Sequence, residues 1–313
     1  MVRTARRTQW AEDREPPLAS TSDRPAIDTP LVRRLVDSQF PQWAGLPLER
    51  LPQAGSDHVI HRLGRELSVR LPRYAGAIGQ ARKEFTWLPR LAPHLPLAVP
   101  EPVAVGEPDL GYPWPWAVTR WLDGEPATVE ALGDSEEAAV ALAGFLTALR
   151  RFEPGGLPLT PDIDRTADSL HGRDRATRAA IAALGGVFDA GALTKVWDAA
   201  LEAPAWDRPP VWVHGDFHTG NLLTRDGRLS AVIDFGGFGL GDPACDLMIA
   251  HTLLSAGSRA AFREALGPDD ATWTRGRGWA LATGLNAYSF YGATDPRIAA
   301  QTTRQIHAAL EPV

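Results

Sequence analysis

The stretch Val211–Gly237, VWVHGDFHTGNLLTRDGRLSAVIDFGG, decides how this chain is read. An apolar run is broken by His214, Asp216, His218 and Asn221 and then resumes. Buried polar groups cost free energy unless they are paired, so such a cluster is either a hydrogen-bonded turn or a working site. Downstream, apolar segments flank Asp226-Gly227, a favoured dipeptide for a tight hairpin turn. Folding the chain back there brings Asn221, at the start of one strand, close to Asp234, at the end of the other. Neighbouring strands lie about 4.8 Å apart, so the two side chains can share a metal-sized site. Asp216 stands in the loop that enters the same hairpin. Two carboxylates and one amide therefore gather at one end, and a magnesium–phosphate site needs such hard oxygen donors. Singly, HGD could be a turn, DFG is a common tripeptide, and an Asp-Gly hairpin needs no function. The spacing among them is what points to chemistry.

Composition narrows the partners. At 313 residues the chain suits two ordinary domains or one large domain with lobes. A net charge of -6 argues against a nucleic-acid binder, which needs a basic face, and suits a cationic small molecule instead. Cys245 is the only cysteine, which excludes an intramolecular disulfide and a cysteine zinc cluster; its apolar setting, GDPACDLMIA, reads as a buried inert thiol. The charged N-terminal stretch lacks the apolar segment of a signal peptide, and no apolar run approaches the roughly 20 residues of a membrane helix. A cytoplasmic protein, monomer or homodimer, with no nucleic-acid or membrane partner is the expectation. Only Lys83 and Lys195 are lysines among 32 basic residues, and neither sits in a G-x-x-x-x-G-K-[ST] context, so a Walker-type nucleotide site is excluded.

Residues 1–30 read as a loose, Pro- and charge-rich tail. TPLVRRLVDSQF predicts a short amphipathic helix with Thr29 as N-cap and Pro30 in its first turn. Strand patterns follow from Leu48 to Leu71, interrupted by the turn signature QAGSDH, then a helix in GAIGQARKEFTWLPRLAPHL and a strand pair in PEPVAVGEPDLGYPWPWAVTRWLDG. A first lobe over 31–120, a small sheet with one long helix, gives way to a mainly helical lobe over 121–313. Ser135 caps a strong helix there, further helices are predicted near 174–184, 191–201, 243–255, 258–266, 273–291 and 295–310, and the only strand patterns are VWVHG and the hairpin.

HGDFHTGN, followed by DFG, resembles the catalytic and metal-binding segments of the protein-kinase-like fold, H-R-D-x-x-x-x-N and D-F-G. The Gly in HGD and the His in DFH resemble, more narrowly, the aminoglycoside phosphotransferase family. GSDHVIHRLG, VRLPR, LPRLAPHLPLAVPEP, AVIDFGGFGLGDPACDL and RGRGWAL are similar to its members as well, so the likeness runs from about Leu31 to the C-terminus. It implies an α+β, bilobal protein-kinase-like fold: a small lobe with an antiparallel sheet and one long helix, and a larger helical lobe. It also implies transfer of the γ-phosphoryl group of ATP (or GTP), with Mg²⁺, to a hydroxyl of a small molecule. An aminoglycoside or similar antibiotic is the default acceptor, which would make the protein a resistance enzyme. Choline, homoserine or an amino sugar is the alternative, and a non-catalytic pseudokinase is the reading from another class.

By the same resemblance Asp216 accepts or orients the hydroxyl proton, and Asn221 and Asp234 hold the metal. His214 and His218 pin the loop. Asp246 in GDPACDL buttresses it, against the simpler reading of an acid at a helix N-terminus. In the first lobe the family's strand lysine is replaced by Arg70, with Glu84 as its partner; arginine keeps the charge and adds a fork, without being equivalent. Adjacent Lys83 is expected to point elsewhere on the helix. Gly55 and Ser56 fall on the turn over the phosphates, and Arg120 to Leu122 in WAVTRWL fall on the segment that receives the base through its backbone. Asp162, Asp164, Asp168, Asp269 and Asp270 lie in the helical half, where a polycation could meet them, though solvated surface acids are the simpler reading.

Overall fold

The computed structural model describes residues 25–51, 57–153 and 160–311. Residues 1–24 of the tail, and Gly55 and Ser56, lie outside the described residues. The chain divides into two compact units, Met1–Pro89 with Pro100–Leu122, and Arg90–Val99 with Asp123–Val313.

The first unit begins with α1 (Thr29–Gln39), whose stripe Leu31, Val32, Leu35 and Val36 is buried. Its N-cap is Asp28 rather than Thr29: Asp28 Oδ1 accepts the Leu31 N–H at 2.8 Å. Thr29 Oγ1 is engaged instead by the buried His61, at 3.2 Å. Pro30 sits in the first turn as expected, where its missing N–H costs nothing. Strands β1 (Leu48–Arg50), β2 (His58–Leu63) and β3 (Leu67–Pro72), helix α2 (Gln80–Leu91), β4 (Pro102–Gly106) and β5 (Trp116–Arg120) follow. The sheet is antiparallel in the order β1-β2-β3-β5-β4. Strand alternation puts Leu67, Val69 and Leu71 into one core with Leu31, Val32, Leu35, Trp116 and Val118. Ser68 and Arg70 therefore face the other side, where Arg70 meets α2 through Glu84.

The second unit contains β6 (Glu125–Pro126), α3 (Val129–Leu132), α4 (Glu136–Arg150), α5 (Leu170–Ala183) and α6 (Ala190–Glu202). Ser135 caps α4 by accepting the Ala138 N–H at 3.1 Å. Then come β7 (Val211–Val213), the hairpin β8 (Leu222–Arg225) and β9 (Arg228–Val232), β10 (Gly239–Gly241), α7 (Ile249–Thr252), α8 (Ala256–Leu266), α9 (Asp270–Tyr291) and α10 (Pro296–Leu310). Leu193, Trp197, Val213, Leu281, Leu285 and Ile306 bring α6, β7, α9 and α10 into one core. Two strands lie outside the expected pattern: β10 pairs with β7, and β6 pairs with β8. They are two and three residues long and built from Glu-Pro and Gly-Leu-Gly, too short for alternation to show. The helix expected over 243–255 is instead a six-residue 3-10 turn, Pro243–Met248, followed by the single turn α7. Among the described residues, no helix is long and apolar enough to cross a membrane.

Candidate active site

The hairpin closes where the sequence suggests. Asp226 and Gly227 adopt φ of 53° and 75°, the left-handed pair of a tight hairpin turn. Leu222 pairs with Val232, and the Ile233 N–H donates to the Asn221 carbonyl at 2.9 Å. Asp234 is the next residue, at φ 63°, where a non-glycine backbone is strained and turns the chain into the short helix Phe235–Gly237.

The loop from β7 into the hairpin is held from behind by Asp246, which is fully buried. Its Oδ2 accepts the His214 N–H at 2.9 Å and its Oδ1 the Gly215 N–H at 2.8 Å. Gly215 has φ +77°, and a Cβ there would lie 2.1 Å from the Gly237 carbonyl oxygen, so the HGD and DFG backbones cross without room for a side chain. His214 is fully buried; its Nε2 donates to the Ile233 carbonyl at 3.1 Å and its Nδ1 accepts the Asp216 N–H at 3.3 Å. Burial lowers its pKa against the pull of Asp246, Asp216 and Asp234, and the two bonds suit a neutral ring. Phe217 stacks on Phe145 of α4 at 5.6 Å, which anchors the loop to the helical core.

Asp216 lies at the centre, its side chain half exposed. Asn221 Nδ2 donates to its Oδ2 at 3.2 Å and to its carbonyl at 2.9 Å. His218 Nε2 stands 3.5 Å from the same Oδ2. Partial burial raises the Asp216 pKa, but His218, His214 and the Asn221 amide outweigh it and hold the carboxyl well below the usual carboxylate range. Burial opposes charge on His218, whereas Asp216 and then Asp234 favour it and raise its pKa. Asp216, Asn221, His214 and Asp246 thus form one bonded cluster, with His218 3.5 Å from Asp216 and Asp234 one residue beyond the Ile233–Asn221 bond.

Asn221 and Asp234 carry hard oxygen donors of the kind a magnesium ion takes. Asn221 commits its amide nitrogen to Asp216, which turns Oδ1 away as a hard donor, and Asp234 adds a carboxylate. Among the described residues no three His, Cys, Asp or Glu side chains are grouped to hold a metal alone. Mg²⁺ takes one or two protein ligands and fills its octahedron with water and phosphate oxygens, so Asn221 and Asp234 would be the residues to hold it.

In the first unit, Arg70 Nη1 lies 3.2 and 3.0 Å from the two carboxylate oxygens of Glu84, both residues being buried. Gln80 Nε2 donates to Glu84 Oε1 at 2.7 Å, so the acceptor capacity of the carboxylate is largely used. Adjacent Lys83 is buried as well. At the expected base-binding segment, the Arg120 N–H donates to the Glu101 carbonyl at 2.8 Å and the Trp121 N–H to the Glu66 carbonyl at 2.7 Å. Those two donors are already engaged. Arg120 itself is exposed and pairs with Glu66 at 3.3 Å.

Two arginines support the loop that sequence reasoning passed over. Arg275 holds Asp242 with Nε on Oδ2 at 2.8 Å and Nη2 on Oδ1 at 3.0 Å, which fixes the segment carrying Asp246. Arg165 is buried, pairs with Asp168, and packs its guanidinium carbon 3.0 Å from where a Gly215 Cβ would stand. Arg275 lies in RGRGWAL and Asp242 in GDPACDL, two segments quoted above for likeness alone; their pairing was the missing signal. Arg165 carries no local signal.

The phosphotransferase enzyme family (APH) matches residues 47–279. The chain belongs to that family. A comparison with curated proteins gives no match. Among solved structures, the GDP and kanamycin complex of APH(2")-IIia is similar at 18% identity and TM-score 0.65, over 89% of this chain and 98% of that one. The ADP-bound aminoglycoside phosphotransferase APH(2'')-Ib is similar at 17% identity and TM-score 0.57, over 91% and 99%. The macrolide 2'-phosphotransferase MphH from Brachybacterium faecium is similar at 22% identity and TM-score 0.57, over 91% and 98%. These likenesses establish the protein-kinase-like fold, with an antiparallel sheet in one unit and helices in the other. As a member of the family, the chain is a phosphotransferase.

Proposed function

We propose that this phosphotransferase moves the γ-phosphoryl group of ATP or GTP to a hydroxyl of an aminoglycoside or similar antibiotic. The observation that carries the reading is the cluster of Asp216, Asn221 and His218 at the mouth of the hairpin, with Asp234 one residue beyond the closing bond. Asp216 orients the acceptor hydroxyl and takes up its proton as the bond to phosphorus forms. A carboxylate held well below its usual pKa is a weak base, so its contribution is chiefly alignment, which phosphoryl transfer rewards most. Asn221 and Asp234 would hold Mg²⁺, which, when bound, would neutralise charge on the phosphates. Arg70, fixed by Glu84, would hold the α- and β-phosphates by a fork where other kinases use a lysine. His214 and Asp246 keep the Asp216 backbone in register.

Four of the five acids considered for the acceptor have local partners. Asp164 is engaged by Thr166, Asp168 by Arg165, Asp269 caps α9, and Asp270 pairs with Arg263. A phosphorylation screen with radiolabelled ATP and GTP, against aminoglycosides, macrolides, choline, homoserine and amino sugars, tests the proposal. Label on an antibiotic hydroxyl, lost in Asp216→Asn, is the expected result. Label only on a metabolite would replace the antibiotic acceptor, and label independent of Asp216 would refute the assigned mechanism.

A further inference from the structure

The second histidine of the motif is placed to do more than fill space. His218 Nδ1 accepts the Gly220 N–H at 3.0 Å, so its lone pair is committed and the ring proton sits on Nε2. That Nε2 faces Asp216 Oδ2 at 3.5 Å, the outer edge of hydrogen bonding, a range that commonly tightens when substrate binds. Asn221 Nδ2 reaches the same oxygen at 3.2 Å. Among the described residues, no donor meets Oδ1. The ring is itself held: a Cβ on Gly220 would lie 2.8 Å from His218 Cε1 and 3.1 Å from Nδ1, so the imidazole can lie flat only against a residue without a side chain.

We infer that His218 is a positioning residue, locked in its Nε2–H form by Gly220, which turns Asp216 so that Oδ1 faces the acceptor hydroxyl. This rests on the proposed role of Asp216. With the Asn221 amide bonded to Oδ2 and His218 Nε2 beside it at 3.5 Å, rotation of the carboxyl about its Cβ–Cγ bond is restrained, and the oxygen distal to both is left to receive the hydroxyl. Gly220 belongs to the same device, because it supplies the N–H and the space.

Two substitutions separate positioning from loop support. Asparagine at 218 keeps an acceptor near the Nδ1 position for Gly220 but cannot reach Asp216; glutamine places an amide N–H near the Nε2 position but gives up the Gly220 acceptor. His218→Asn should lower kcat about 10- to 100-fold, the scale of a reacting group misplaced by about 1 Å, with Tm and nucleotide Kd unchanged. His218→Gln should restore most of that kcat while lowering Tm. Nitrogen NMR of the wild type, recorded above the raised His218 pKa where the ring is neutral, should show it protonated at Nε2 and not at Nδ1. Wild-type kcat in His218→Asn, a kcat loss in both variants that follows Tm, or the Nδ1–H tautomer would each overturn the inference. Asp216→Asn is run alongside. If it retains kcat, the role of Asp216 fails; if it loses kcat while His218→Asn does not, this inference alone fails.

Discussion

Replacing Asp246 by alanine separates two roles that a carboxylate in GDPACDL could have. It lies in the first turn of Pro243–Met248, where an acid interacting only with the helix end is worth about 0.3–1 kcal/mol. The structure assigns it more. It is fully buried and accepts both the His214 N–H, at 2.9 Å, and the Gly215 N–H, at 2.8 Å. Truncation leaves two donors without partners at a buried position, at about 1–3 kcal/mol each, hence about 4 kcal/mol together. For a chain of this size about 2 °C of Tm corresponds to each kcal/mol, so Asp246→Ala should melt about 8 °C below wild type. Asp246→Asn keeps one acceptor and sets an NH₂ group against the other N–H, and should lose about half as much. Calorimetry gives Tm, and steady-state kinetics on the same preparations should show kcat falling more than nucleotide affinity, because the two N–H groups place the backbone of Asp216. A Tm within about 2 °C of wild type would return Asp246 to the helix-end role, and the account of the loop would be wrong.

Gly215→Ala adds a Cβ 2.1 Å from the Gly237 carbonyl oxygen at φ +77°; the left-handed backbone alone costs about 1–2 kcal/mol, and kcat should collapse as the HGD and DFG segments part. Wild-type turnover in that variant would contradict the crossing. Glu84→Ala removes the carboxylate that Arg70 pairs with at a buried position, and urea unfolding should show a loss of up to about 3–5 kcal/mol; Arg70→Lys should fold but bind nucleotide more weakly, which titration measures. Acid should destabilise the first unit through His61, fully buried and with its pKa lowered to about 4 by burial and then by Arg50. The unfolded chain binds this proton below pH 6.5 and the folded chain only near 4. Stability is therefore complete above pH 6.5 and falls by about 3 kcal/mol toward pH 4. His61→Gln should flatten that slope in Tm against pH, and an unchanged slope would assign the acid loss to other groups.

The hairpin was legible because its determinants are local: Asp226-Gly227 sets the turn, and strand geometry then brings residue 233 opposite 221. The Ser135 cap and the helix it opens, α4, were legible for the same reason. What sequence did not show depends on contacts between distant residues. Asp28 and Thr29 are both competent caps, and the choice between them is made by His61, 32 positions away, which engages Thr29. Pro243–Met248 winds as a tight 3-10 turn where apolar periodicity suggested a longer helix, while Asp246 within it receives two N–H groups of the loop after β7. Strands β6 and β10 contain too few side chains to show a period, and Arg165 beside Gly215 leaves no mark in its own neighbourhood. The acceptor is the part least legible, since four of the five acids considered for it, Asp164, Asp168, Asp269 and Asp270, are engaged in local caps and pairs.

The most direct check is single-turnover release of phosphate from γ-labelled ATP or GTP with Mg²⁺, set beside nucleotide titration, for wild type, Asp216→Asn and Asp234→Ala. The account predicts that Asp216→Asn binds nucleotide as the wild type does but transfers slowly, whereas Asp234→Ala loses the Mg²⁺-dependent part of binding. Equal transfer rates in all three proteins, or equal loss of binding in both variants, would contradict it.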